Sequence, residues 1–146
     1  MSAGSGNAAA ALKPGGNRER GLRIASIGVR TKAADVAQFA EATGTAPFAG
    51  FVPLTYPFCW LALPEARRLI MDLVGSDALP VHESQSFTYL RALQPDCDYS
   101  LSIEAFRGAN SDRVTLQAAV STLDGKECLN FETVLRIVPL CAERRA

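Results

Sequence analysis

The sequence predicts an α+β domain in which one antiparallel sheet is wrapped around a central helix. Three observations predict it. A helical apolar period occupies Pro64 to Val74, the period changes to alternation after Leu79 and persists through four runs, and 146 residues suffice for one core but not two. Hydrophobic residues make up 48% and charged residues 21%, an ordinary globular balance that argues against a mostly disordered chain, a collagen-like chain or a disulfide scaffold.

Met1 to Gly21 are rich in Ser, Gly, Ala and Asn and carry almost nothing large and apolar, so residues 1–21 are expected to be a disordered tail. The folded domain is expected over 22–140, with a short C-terminal tail at 141–146. Leu22 to Arg30, with Ile24, Ile27 and Val29, reads as a strand. A helix follows it. Thr31 is expected to cap this helix, Asp35 sits near its positive end, Val36, Phe39, Ala40 and Thr43 fall on one stripe, and Gly44 supplies the stop.

Thr45 to Pro57 holds three prolines among aromatic and aliphatic residues and reads as an apolar loop that packs against something. Pro64 suits the first turn of the second helix, where a missing N–H costs nothing. Ala66, Leu69, Ile70, Leu73 and Val74 form its apolar stripe, Glu65, Arg67, Arg68 and Asp72 face away, and Gly75 ends it. The four alternating runs are Val81 to Leu90, Tyr99 to Arg107, Val114 to Leu123 and Leu129 to Val138, expected to pair as an antiparallel meander. In the third, Val114, Leu116, Ala118 and Val120 share a face; in the fourth, Leu129, Phe131, Leu135 and Ile137 do. Gly108 to Ser111 makes one turn, and Asp124-Gly125 predicts a two-residue hairpin turn.

Fifteen basic residues balance fifteen acidic ones, so no basic surplus announces a nucleic-acid partner. Cys59, Cys97, Cys128 and Cys141 form no close pair, and with one histidine, His82, no metal site is expected. No apolar run approaches the ~18 residues that would span a bilayer. The start of the chain lacks the apolar core of a secretory signal, and a reducing cytoplasm is the expected compartment.

A helix wrapped by a curled antiparallel sheet is the hot dog arrangement, and dimerisation is an economical way to finish its open edges. Asp35-Val36-Ala37-Gln38-Phe39-Ala40-Glu41-Ala42-Thr43-Gly44 resembles the first helix of the MaoC-like hydratase and dehydratase family. Val52-Pro53-Leu54-Thr55-Tyr56-Pro57-Phe58 is similar to the lead-in to that family's central helix, and Leu79 to Tyr89 to the strand that follows in its non-catalytic or N-terminal-half type.

The resemblance implies work on a (3R)-hydroxyacyl or enoyl thioester, carried by CoA or an acyl-carrier protein, with no covalently bound cofactor. It also implies a homodimer or a heterodimer with a second MaoC-like subunit. Catalytic members continue the first helix with Gly-Asp-x-Asn-Pro-x-His; here Thr45 replaces the aspartate and Gly50 the histidine, and no Asp or His occurs from Val36 to Met71. Threonine and glycine cannot transfer a proton near neutral pH, so this chain is expected to lack its own acid–base dyad.

The fallback catalyst is His82 with a carboxylate from Glu65 or Glu83; the blander role for His82 is a hydrogen-bonded residue at a subunit interface. Thr55, Tyr56, Phe58, Trp60 and His82 are expected to line an acyl tunnel or the dimer interface, and Cys59 to be a small buried apolar group. Arg67, Arg68 and Arg91 read as solvated charges rather than phosphate ligands. A non-enzymatic acyl-thioester-binding or assembly homodimer is the alternative, and a thioesterase the third reading, disfavoured because it too needs a positioned acid or base.

Overall fold

The computed structural model describes residues 22–45 and 51–140. The two expected tails and the motif positions from 46 to 50 lie outside the described residues. In chain order the elements are β1 (Leu22–Arg30), α1 (Ala33–Thr43), a 3-10 helix (Tyr56–Ala62), α2 (Pro64–Val74), β2 (Ala78–Tyr89), β3 (Asp98–Phe106), β4 (Arg113–Thr122) and β5 (Glu127–Pro139).

α2 forms as its sequence dictates. Pro64 opens it, Gly75 caps it through a hydrogen bond to Met71 O, and Ala66, Leu69, Ile70, Leu73 and Val74 are buried on one face. That face lies on a sheet whose strand faces alternate: Leu101, Ile103, Val114, Leu116, Val120 and Leu129 are wholly removed from solvent. Burying each large aliphatic side chain of this kind stabilises by about 1.5–3 kcal/mol relative to exposure. The opposite face of the sheet is polar, with Ser100, Ser102, Gln117 and Glu132 along it.

The strand order corrects the expected four-strand meander. All pairings are antiparallel and the order is β1-β3-β4-β5-β2, so β3, β4 and β5 form a meander while β2 pairs with β5 and β1 takes the free side of β3. The connection from β2 to β3 is too long for a hairpin and crosses the end of the sheet. It is held there by Leu93, which is buried, by Val52 N–H donating to Leu93 O at 3.2 Å, and by Thr31.

Thr31 is not the cap of α1. Its hydroxyl is fully buried, donates to Gln94 O at 2.6 Å and accepts from Cys97 N–H at 3.1 Å, so it staples the crossing connection instead. The cap comes from far along the chain: the Asp96 carboxylate accepts from Ala33 N–H at 2.9 Å. A carboxylate there satisfies an orphan donor and meets the positive end of the helix, as an N-cap side chain would. Gly44 ends α1 in the left-handed region at φ 69°, as expected.

The Asp124-Gly125 signal marks a turn, although a longer one than two residues: β4 stops at Thr122 and β5 starts at Glu127. Gly125 takes φ 94°, and the Thr122 hydroxyl accepts from Lys126 N–H at 2.9 Å while donating to the Asp124 carboxylate. That hydroxyl holds the Asp124 carboxyl below its usual pKa.

Candidate functional site

The 3-10 helix decides where the candidate residues go. A run of Tyr, Pro, Phe, Cys and Trp has no 3.6-residue period, and with three residues per turn it sends its side chains to different neighbours. Tyr56 and Trp60 turn toward α1: Phe39 meets Tyr56 edge to face at 5.4 Å between ring centres, and Tyr56 meets Trp60 in the same manner at 5.8 Å. Both are buried, so burial raises the Tyr56 phenol above its ordinary pKa, and the Asp35 carboxylate adds to the rise.

These rings floor a groove of about 500 Å³, walled by the Gly28–Arg30 end of β1, by Leu63 and by Cys59. Lys32, Asp35 and Gln38 stand on its rim. Cys59 is exposed there, which corrects the expectation of a buried thiol. The thiol is nonetheless partly desolvated by the groove wall, which pushes its pKa up and keeps it a neutral thiol rather than a nucleophile.

Phe58 points the other way, to the sheet edge. Its ring lies 4.9 Å from that of His82 on β2. Sequence reasoning placed Tyr56, Phe58, Trp60 and His82 in one constellation; the structure splits it into a Tyr56–Trp60 pair beside α1 and a Phe58–His82 pair beside β2. Thr55 is exposed and flanks the 3-10 helix, its carbonyl accepting from Phe58 N–H at 3.1 Å. Tyr89 closes the β2 side by donating its hydroxyl to Leu54 O at 2.7 Å, and burial keeps its phenol far from ionisation.

His82 owes its direction to a bulge. In the β2–β5 register His82 faces Leu135 and Ser84 faces Val134, leaving Glu83 unpaired between them. Leu135 is on the buried side of β5, so His82 shares the helix-facing side, and so does Gln85, which pairs with Thr133. In an unbroken strand two residues three apart would face opposite ways; the extra residue puts both inward.

The carboxylates proposed for His82 do not reach it. Glu83 turns out to the Arg113 guanidinium, with Arg113 Nη2 donating to Glu83 Oε2 at 3.1 Å. Glu65 is exposed on the first turn of α2 and makes no hydrogen bond or ion pair among the described residues. The His82 side chain is exposed, and its imidazole has no hydrogen-bond partner among the described residues. Arg67, Arg68 and Arg91 are exposed.

Two residues of this face were missed. Thr133 is fully buried and donates its hydroxyl to Gln85 Oε1 at 2.8 Å, while Gln85 Nε2 is shielded from solvent with no partner among the described residues. The sequence held a signal: Thr133 is the single hydroxyl in the apolar alternation Leu129, Phe131, Thr133, Leu135, Ile137.

No family model matches the chain, and no curated protein matches its sequence. Solved structures do match its shape. A hot-dog-like protein from Thermanaerovibrio acidaminovorans is 12% identical, with 82% of this chain and 83% of that one covered at a TM-score of 0.62. The truncated HadBC (3R)-hydroxyacyl-ACP dehydratase complex of Mycobacterium tuberculosis is 14% identical, with 78% of this chain and 93% of that one covered at 0.57. A hypothetical thioesterase with coenzyme A from Streptococcus pneumoniae is 13% identical, with 82% of this chain and 80% of that one covered at 0.56. Identities this low speak to shape alone: the chain has the hot dog fold.

Proposed function

We propose that this chain is a MaoC-like hot dog subunit that binds an acyl thioester of CoA or acyl-carrier protein and lacks its own acid–base dyad. It acts in (3R)-hydroxyacyl thioester dehydration or enoyl thioester hydration when a partner subunit supplies the Asp and His. The observation that carries the reading is the Phe58–His82 face of β2: an apolar wall with a single imidazole whose two candidate carboxylates, Glu65 and Glu83, are both out of play. Such a face suits holding a thioester and not moving its protons. Similarity in shape to a dehydratase complex and to a protein with coenzyme A supports the ligand class.

β2 is an edge strand, and dimerisation through it with a homologous subunit, or with a second copy, would cover this face. The free thiols of Cys59, Cys97 and Cys128 suit a reducing cytoplasm, and no helix of the described residues is long and apolar enough to cross a membrane. In this reading the hot dog domain is the segment 22–140.

Shape similarity to a thioesterase favours hydrolysis as a second reading. One pair of assays separates them. Enoyl-CoA hydration and acyl-CoA hydrolysis are measured on the purified chain and on its complex with a motif-bearing MaoC-like subunit. The proposal expects neither reaction from the chain alone, and hydration at least about 10²–10⁴-fold faster from the complex. Release of free CoA by the chain alone at enzymatic rates would establish the thioesterase, and hydration by the chain alone that His82→Ala abolishes would make His82 the catalyst.

A further inference from the structure

β1 is the outer strand of the sheet at the edge opposite β2. Where it ends, Thr31 N–H donates to Cys97 O at 3.0 Å. By the two-residue alternation of an antiparallel ladder, Val29, Ile27, Ala25 and Arg23 then bond to β3. Leu22, Ile24, Ser26, Gly28 and Arg30 turn their N–H and C=O groups to the other side, where no described strand lies. Such a row of donors and acceptors is a template for one more strand. The groove beside α1 continues this edge, because Gly28 has no side chain and lines the groove with its backbone.

The edge is complementary to itself. A two-fold axis at Ser26 is the one antiparallel register that pairs all nine residues of β1 with those of a second β1. It sets Ile24 opposite the second copy's Gly28 on the polar face of the sheet. Ile24 is 67% exposed there, and a Cβ added to Gly28 would meet nothing within 4 Å, so a large apolar side chain faces an open position. Cross-strand neighbours of this kind are the unit of sheet stabilisation.

Charge agrees with the same register. Arg23 falls opposite the second copy's Val29, on the face where Val29 walls the groove. On the rim of that groove Asp35 is exposed and makes no hydrogen bond or ion pair among the described residues. The Arg23 guanidinium already lies along the outer edge, donating to Leu22 O at 3.0 Å, and its approach to Asp72 is loose at 3.9 Å. Neither Arg23 nor Arg30 meets another arginine directly across the pair, since Arg30 falls opposite Leu22.

We propose that two copies of this chain associate edge to edge through β1 about a two-fold axis at Ser26, each Arg23 reaching the other copy's Asp35. The pairing leaves β2 untouched. A heterodimer formed through β2 would be doubled by it into a closed assembly of four subunits, whereas a homodimer through β2 would be extended into an open row.

The test follows the association of the full chain by sedimentation at several concentrations and the exchange of its amides by NMR. Ile24, Ser26 and Gly28 amides should gain protection as the chain associates and lose it on dilution, while Ala25, Ile27 and Val29 stay protected throughout. Ser26→Pro removes an outward N–H that β3 does not use, and should weaken association at least about tenfold in a chain that stays folded. Arg23→Glu should weaken it about three- to tenfold, and adding Asp35→Arg should restore it.

A chain that stays monomeric up to about 100 μM, well above the range of specific association, would overturn the proposal. So would association that Ser26→Pro leaves unchanged, which would belong to β2 or another surface. Protection of Ile24, Ser26 and Gly28 that persists on dilution would mean that residues 1–21 pair there, and overturns it too. Should Ser26→Pro fail to fold, Ile24→Lys, a change at an exposed side chain, decides by the same loss of association.

Discussion

The two sides of the 3-10 helix are built from the same residue types and differ in what they face. On the α1 side, Tyr56 and Trp60 are buried against Phe39 in successive edge-to-face contacts. On the β2 side, Phe58 is half-buried and meets an exposed imidazole on an edge strand. The α1 side is braced twice more, by the buried Thr31 hydroxyl and by the Asp96 carboxylate at the start of α1. The lesson is that aromatic residues clustered in sequence need not be one site. Here their ring contacts divide them into a packed side that holds the fold and an open side available for a ligand or a subunit.

The largest expected effect tests that division. Trp60→Ala removes a buried indole from the packed side and should lower stability by about 3–5 kcal/mol, measured by denaturant unfolding. Phe58→Ala should cost clearly less, about 1–2 kcal/mol, because its ring keeps solvent on one side. Equal losses would mean that both sides are core and that the open side is not a site.

Next in size is Thr31→Val. The substitution keeps the volume and removes a hydroxyl that donates to Gln94 O and accepts from Cys97 N–H. Leaving those buried groups unpaired should cost about 1–3 kcal/mol, with the β2–β3 connection the first amides to lose protection in hydrogen exchange. A neutral result would show that the staple is dispensable and the α1 side less braced than its hydrogen bonds imply.

How much of this was legible follows from the kind of signal each region carries. The α2 stripe, its Pro64 start and its Gly75 stop were read correctly, because a helix face records burial in a period that lies wholly within its own eleven residues. Thr31 was misread because its partners, Gln94 and Cys97, are more than sixty residues away, and a threonine before a helix looks the same whether it caps or staples. The strand order was missed for a related reason: alternation tells which residues share a face, and nothing in it tells which strand lies beside which. The bulge at Glu83 is the costliest miss. It changes the face that His82 occupies, and in the sequence His82-Glu83-Ser84-Gln85-Ser86 has no apolar residue from which the parity could be set.

Cys59 offers a smaller, pH-resolved comparison with Cys128. Burial raises the thiol pKa of both, but Cys59 is exposed in the groove and Cys128 is buried. The thiolate is the reactive form, so raising a thiol pKa lowers its reactivity at a given pH. Alkylation of Cys59 by iodoacetamide in the native chain should therefore be slow at neutral pH and rise with a midpoint above that of a free cysteine. Cys128 should stay unmodified until the protein unfolds. A Cys59 midpoint below the ordinary thiol value would mark an activated nucleophile and favour acyl transfer by the groove.

The smallest expected effect is on the stability of His82→Ala, and it carries the most weight for the open side. The His82 side chain is exposed, touches Phe58 through its ring, and has no hydrogen bond or ion pair among the described residues. Removing a side chain so placed should shift stability by less than about 0.5 kcal/mol in the isolated chain, well below the Trp60→Ala loss. The bulge that turns His82 inward also keeps buried Ala78 on the same face as Phe87 and Tyr89, so it serves the fold whatever His82 does. If the imidazole serves a subunit or ligand, the same substitution should leave the monomer's unfolding unchanged and weaken either dimerisation, measured by sedimentation at several concentrations, or acyl-thioester binding. A loss of about 1–3 kcal/mol in the isolated chain would instead show that His82 is held within the domain. The β2 face would then be a second packed side, and the contrast between the two sides of the 3-10 helix would fail.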